Sequence, residues 1–136
     1  MTPRLAHIAI AVRDLDHQTT LPAAALGLRV RDRTAVPSEG AAVAFVPVGD
    51  TDVELIQPLS AAGALARFLD RQGEGIHHLA LRVADVGEAA ASAARAGLRL
   101  AGAAPRVGAH GTKIAFIHPS SLHGLLLELV EERSSV

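Results

Sequence analysis

Cysteine is absent from this 136-residue chain, which removes disulfides, thiolate metal sites and a cysteine nucleophile together. Any metal must be held by imidazole and oxygen ligands, and seven histidines make that route available. Tryptophan and tyrosine are also missing and only three phenylalanines are present, so a pocket gripping a planar ligand between stacked rings is not expected. Neither sign of charge is in excess. Thirteen basic and 14 acidic side chains give a formal net charge of -1, which offers no global field to nucleic acid or to an anionic membrane. Long apolar runs are lacking too: MTPRLAHIAIAVRDL meets charge too early for a signal peptide, and no uninterrupted segment could span a bilayer, so the expectation is a soluble cytoplasmic protein. Lysine occurs once, at Lys113, a bias toward arginine that carries no functional weight by itself.

What is present is a well-filled core and a duplication. The length and the 49% hydrophobic content suit a single domain. HIAIAVRDL (7–15) returns as HLALRVADV (78–86) at an offset of 71 residues, and VAFV (43–46) as IAFI (114–117) at the same offset. ALGLRV (25–30) is echoed by RAGLRL (95–100) at 70. A late glutamate strand, VELIQ around Glu54 and LLLELVE around Glu128, repeats at 74, the extra residues falling in the turn SSLHG. Each copy reads strand, helix, strand, strand, strand. The first module covers about 1–58, a joining segment 59–75 contains the short helix ARFLDRQ ending at GEG, and the second module covers about 76–131 before a frayed tail. Asp14 and Asp85 are expected to cap the helices, and Gly27 and Gly97 to end them.

Strand parity then selects a site. In the period-two strands His7, Ala9 and Ala11 share one face against Ile8, Ile10 and Val12, and His78, Ala80 and Arg82 share one against Leu79, Leu81 and Val83. Glu54 opposes Val53 and Leu55, and Glu128 opposes Leu127 and Leu129. A lone histidine or glutamate in such a strand is commonly structural. Two of each at repeat-equivalent positions point to a divalent ion, whose charge two carboxylates balance while two imidazoles ligate without charge. Four protein ligands leave two positions on a six-coordinate ion; cobalt, manganese, nickel, zinc and iron all fit. His77 has the opposite parity to His78 and is expected to face a helix or neighbour. His17 and His123 are read as surface residues, His118 as a strand end before Pro119, and His110 as part of a glycine-flanked loop, GAHG, able to approach a ligand.

The duplicated pattern with paired His and Glu resembles the vicinal oxygen chelate superfamily, which includes glyoxalase I, extradiol dioxygenases, fosfomycin-resistance enzymes and methylmalonyl-CoA epimerase. Within it, VAFVPVGDTDVELIQPL, GEGIHHLALRV, RVGAHGTKIAFIHP and HGLLLELVE are similar to the methylmalonyl-CoA epimerase family. The resemblance implies an α+β, glyoxalase-like fold of two tandem βαβββ modules forming a curved mixed sheet around a metal site. It implies His7, Glu54, His78 and Glu128 as ligands, a position equivalent to Glu54 being Gln or Glu among relatives. It also implies an acyl-CoA substrate, a 2-substituted malonyl thioester epimerised through a metal-stabilised enolate, and a homodimer.

Inversion needs two acid–base groups flanking the substrate. Glu128 is one candidate. For the second, some relatives carry a glutamate where this chain has Val43; Glu39, Lys113, His110 or water are the substitutes available. A second departure is TTLPAAALGL, where an aromatic pair is common before LGL. Two alternatives stay open: a glyoxalase I-type isomerase acting on a glutathione hemithioacetal, and a metal-free ligand-binding or resistance protein on the same scaffold.

Overall fold

The computed structural model describes residues 2–16, 25–108 and 111–131. In chain order the strands are β1 (Arg4–Ala11), β2 (Arg31–Val36), β3 (Ala41–Val48), β4 (Thr51–Pro58), β5 (Gly75–Val83), β6 (Leu100–Val107), β7 (Lys113–Ile117) and β8 (Leu127–Glu131). Helix α1 (Ala64–Gln72) lies between β4 and β5, and α2 (Val86–Arg95) between β5 and β6. The chain divides into two compact units, one running from His7 to His77, the other from His78 onward together with the residues up to Ala6.

In the first of these units the strand order is β2-β3-β4-β1. β1 runs parallel to β4 with Ala9 opposite Glu54, and β3 pairs antiparallel with both β2 and β4. The second unit repeats the scheme as β5-β8-β7-β6, with β5 parallel to β8 and Ala80 opposite Glu128. Parallel pairing of the first and last strands of each repeat requires a crossover between them, which is why a helix follows the first strand in this pattern. In the second repeat that helix is α2. Residues 17–24 of the first repeat, and with them His17, Pro22 and most of TTLPAAALGL, lie outside the described residues.

The ends of α2 form as the sequence leads one to expect. Asp85 has extended backbone and its Oδ1 accepts from the Glu88 N–H at 2.9 Å, satisfying one of the orphan donors of the first turn. At the other end Leu98 N–H donates to Ala93 O and Gly97 N–H to Ala94 O, both at 3.0 Å, with Gly97 at φ +92°. That double closure needs a left-handed residue at the Gly97 position, which glycine adopts without a Cβ penalty. Replacing Asp85 with alanine should therefore cost about 1 kcal/mol, or roughly 3–5 °C in melting temperature, measurable by thermal denaturation.

One further contact recurs in both units. Leu15 N–H donates to Gln57 Oε1 at 2.8 Å, and Val86 N–H donates to Glu131 Oε2 at 3.1 Å. Leu15 and Val86 are repeat equivalents, and each acceptor lies three residues after its glutamate, Glu54 or Glu128. An odd spacing on a strand means opposite faces: the side chain that latches the helix start points away from the face that carries the glutamate.

The cores follow the same division. In the His7–His77 unit, buried Val12, Leu15 and Ala44 gather Ile10, Val30, Ala42 and Leu55. In the other unit, Val86 and Ala90 of α2 pack on Ala115, Ile117 and Leu129, with Leu81, Val83 and Leu127 around them. The bulky parity thus takes the helix side. The other parity carries small residues, Ala9, Ala11 and Ala80, each wholly buried. α1 buries Leu65, Ala66 and Leu69, and Arg13 ties it to the end of β1, its N–H donating to Glu74 Oε2 at 2.9 Å and its Nη2 to Leu69 O at 3.1 Å. Among the described residues no helix is long and apolar enough to cross a bilayer.

Candidate functional site

Glu54 sits in the middle of β4 with Ala9 opposite it on β1 and Phe45 opposite it on β3. Because Ala9 is small, the imidazole of His7, two residues earlier on the same face, can lean toward the carboxylate. His7 Nε2 lies 3.3 Å from Glu54 Oε2, and Glu54 is only 7% exposed. The second unit builds the same pair from equivalent residues. Glu128 on β8 is flanked by Ala80 on β5 and Phe116 on β7, and His78 Nε2 lies 3.7 Å from Glu128 Oε2. His78 and Glu128 are 5% and 7% exposed. The His78 ring meets Phe116 edge-on, centroids 5.3 Å apart and planes at 88°, which fixes the imidazole's orientation.

Burying a carboxylate beside an imidazole is costly unless both are well partnered. Charge-assisted hydrogen bonds of this type close to about 2.7–2.9 Å, shorter than either pair here. Two ligand atoms each about 2.0–2.2 Å from a common ion are separated by about 2.8–3.1 Å at octahedral angles and about 3.3–3.6 Å at tetrahedral ones. Separations of 3.3 and 3.7 Å lie nearer the wider of these spacings than a mutual hydrogen bond. Each pair, with one imidazole and one carboxylate, thus has the donor types and spacing of metal ligands.

The other candidates are placed as follows. His77 packs edge-on against Phe68 of α1 at 4.8 Å, as its parity requires. His118 follows β7 and its Nδ1 accepts from the Ser120 N–H at 3.0 Å. His123 is exposed in a turn at φ +57°. Glu39 closes the short 3-10 turn Pro37–Glu39 between β2 and β3. Val43 is 3% exposed and pairs with Ile56, which has the parity of Glu54, so the glutamate-bearing face of β3 is apolar at that point. His110 lies outside the described residues.

Lys113 departs from the acid–base role considered for it. It is exposed at the first position of β7 and shares parity with Ala115 and Ile117, which pack on α2, whereas Glu128 pairs opposite Phe116. The structure does not bring Lys113 to the face that carries Glu128.

Three residues on the glutamate-bearing faces escaped sequence reasoning. Phe45 and Phe116 were visible as repeat markers, but only the antiparallel register places each directly opposite a glutamate. Arg106 pairs with Ile114 and its guanidinium lies over the Phe116 ring, 5.1 Å from the centroid. A register shift between Ala101 and Arg106 breaks the period-two count that would have revealed it.

Comparison with known proteins agrees with this geometry. Residues 6–116 match the model of the Glyoxalase/Bleomycin resistance protein/Dioxygenase superfamily. The chain is 37% identical over 131 residues to the ethylmalonyl-CoA/methylmalonyl-CoA epimerase of Cereibacter sphaeroides, covering 95% of this chain and 98% of that protein. It is 34% identical to the mitochondrial methylmalonyl-CoA epimerase of Homo sapiens over 127 residues, covering 93% and 72%. Among solved structures, the methylmalonyl-CoA epimerase of Mycobacterium tuberculosis superposes with a TM-score of 0.89 at 34% identity, covering 95% of this chain and 87% of that one. A methylmalonyl-CoA epimerase in complex with methylmalonyl-CoA and NH4+ superposes with a TM-score of 0.90 at 32% identity, covering 98% and 97%. The chain belongs to the glyoxalase, bleomycin resistance protein and dioxygenase superfamily and, within it, to the methylmalonyl-CoA epimerases.

Proposed function

We propose that this chain interconverts the R and S forms of a 2-substituted malonyl-CoA thioester, methylmalonyl-CoA being the first to test, with His7, Glu54, His78 and Glu128 serving one divalent ion. The observation that carries this reading is the duplicated histidine–carboxylate pair, in which Glu54, His78 and Glu128 are buried and His7 is half-buried. Two imidazoles and two carboxylates suit cobalt, manganese, nickel, zinc or iron and balance a 2+ charge. Bound there, such an ion supplies Lewis-acid stabilisation of the negative charge that develops beside the α-carbon.

The remaining chemistry belongs to the chain. The α-hydrogen of the substrate lies between a thioester and a carboxylate, so its loss leaves an electron pair delocalised into an enolate. Glu128 takes that proton. Its buried carboxylate sits between Ala80 and Phe116, which keep water from the reacting carbon and hold the acceptor oxygen in place. A proton delivered to the opposite face inverts the centre, and no electron is gained or lost overall. With Lys113 on the helix side and Val43 apolar, this reading keeps His110 of the sequence GAHG, or water, as the source of that second proton.

The test is solvent deuterium incorporation at the α-carbon of methylmalonyl-CoA, followed beside turnover of a glutathione hemithioacetal. Deuterium entry with loss of optical purity is expected for the first substrate and no turnover for the second. The reverse result would replace this reading by a glyoxalase-type isomerase.

A further inference from the structure

Phe116 of β7 joins two contacts of different kinds. Its ring meets the His78 imidazole edge-on, centroids 5.3 Å apart with planes at 88°, and it also lies beneath the Arg106 guanidinium, whose carbon is 5.1 Å from the ring centroid. His78 and Phe116 are 5% and 8% exposed, so turning the imidazole means displacing the phenyl ring in a close-packed interior. The imidazole is then held only as firmly as the phenyl ring is. The second torsion of an aromatic side chain is broad and roughly two-fold, so a phenyl ring needs a neighbour on its face to hold it. Ala101, which pairs with Phe116 on β6, is too small to give that cover; the guanidinium gives it.

The backbone of β6 makes room for it. Between Ala101 and Arg106 the register shifts, and Gly102 within that stretch has φ +75°. A Cβ built on Gly102 would fall 2.7 Å from Arg106 Nη1, so a side chain there moves the guanidinium aside. Conformation and space both call for glycine.

We propose that Arg106 is a positioning residue for the metal ligand His78, acting through Phe116, with Gly102 admitting its guanidinium. The inference rests on the metal part of the reading above and deepens it. A ligand ordered in advance loses less freedom when an ion binds, so the stack of Arg106 on Phe116 against His78 raises affinity. Charge acts in the opposite sense. A guanidinium one ring removed from His78 repels a divalent cation, so its removal tightens binding if electrostatics alone operates and loosens binding if the stack orients the imidazole.

The experiment titrates cobalt(II) into metal-free protein by calorimetry, in the wild type, Arg106→Met, Arg106→Lys and Gly102→Ala, with melting temperatures confirming the fold. Arg106→Met should weaken cobalt binding by about 3- to 30-fold, the span of a lost cation–π contact. Arg106→Lys should recover part of the loss, because an ammonium also sits over a ring. Gly102→Ala leaves the arginine in the sequence and should weaken binding as Arg106→Met does, the double variant being no worse than either. Asp85→Ala removes the α2 cap on the helix side of the sheet, and this loss of stability should leave cobalt affinity unchanged. Equal or tighter binding in Arg106→Met overturns the proposal, as does an equal loss in Asp85→Ala. Should the wild type bind no cobalt, the metal reading fails, and the His78 ring resonances in the NMR spectrum decide the stack by themselves. Resonances shifted by the Phe116 ring in the wild type and broadened or unshifted in Arg106→Met support it; resonances alike in the two proteins overturn it.

Discussion

Glu128→Gln should abolish α-proton exchange while the protein still folds. Glutamine keeps the shape of the side chain and one oxygen donor, but an amide cannot take up the α-proton. Loss of a positioned general base lowers rates by about 10²- to 10⁴-fold, and here a weakened ligand adds to that loss. Folding should not suffer, because a neutral amide is cheaper to bury than a carboxylate at a position only 7% exposed. The repeat supplies an internal control. Glu54 has the same neighbours, an alanine on one side and a phenylalanine on the other, yet is assigned only a ligand role. Glu54→Gln retains an oxygen donor and should cost about tenfold or less. A Glu128→Gln protein that keeps more than a tenth of wild-type exchange, or a Glu54→Gln protein that is equally dead, would remove Glu128 as the proton acceptor.

Stripping divalent ions should lower both activity and melting temperature. An ion that binds the native chain and not the unfolded one stabilises by mass action, about 2.7 kcal/mol when present at a hundred times its dissociation constant. In a chain of this size that corresponds to roughly 8–13 °C. The sign is fixed: chelator shifts unfolding down and added ion restores it. Calorimetry with and without chelator, together with metal analysis of the purified protein, makes the measurement. His78→Ala should abolish most of the chelator response, since that side chain is 5% exposed beside Glu128 and its loss removes a ligand from one pair. A melting temperature and exchange rate indifferent to chelator, in protein that carries no stoichiometric ion, would end the metal reading while leaving the family assignment intact.

How much of this could be read from residues alone varied with the distance over which the determining contacts act. The two-module order, the cap at Asp85, the stop at Gly97 and the helix-side parity of His77 all depend on neighbours within a few positions, and period-two or helical spacing exposes them. The pairs His7–Glu54 and His78–Glu128 were legible because duplication lets each copy confirm the other. The side of the sheet that Lys113 takes could not be read, for the opposite reason. IAFI alternates cleanly, yet which of its two parities shares a face with Glu128 is decided by the register of β7 on β8, where Phe116 pairs with Glu128. Arg106 was hidden by the register shift on β6, after which counting from Leu100 gives the wrong side. Nothing in a single strand's composition records either offset.

The latch between each glutamate strand and its helix start has a consequence for folding fidelity. Glu54 and Gln57 are spaced oddly along one strand, as are Glu128 and Glu131, so a slip by one position would carry the carboxylate into the oily layer and at the same moment strand the N–H of Leu15 or Val86. Two independent penalties fall on the same error. The correct threading therefore proofreads itself before any substrate arrives, and a substitution at Gln57 or Glu131, far from the chemistry, would loosen that check without touching a single reactive atom.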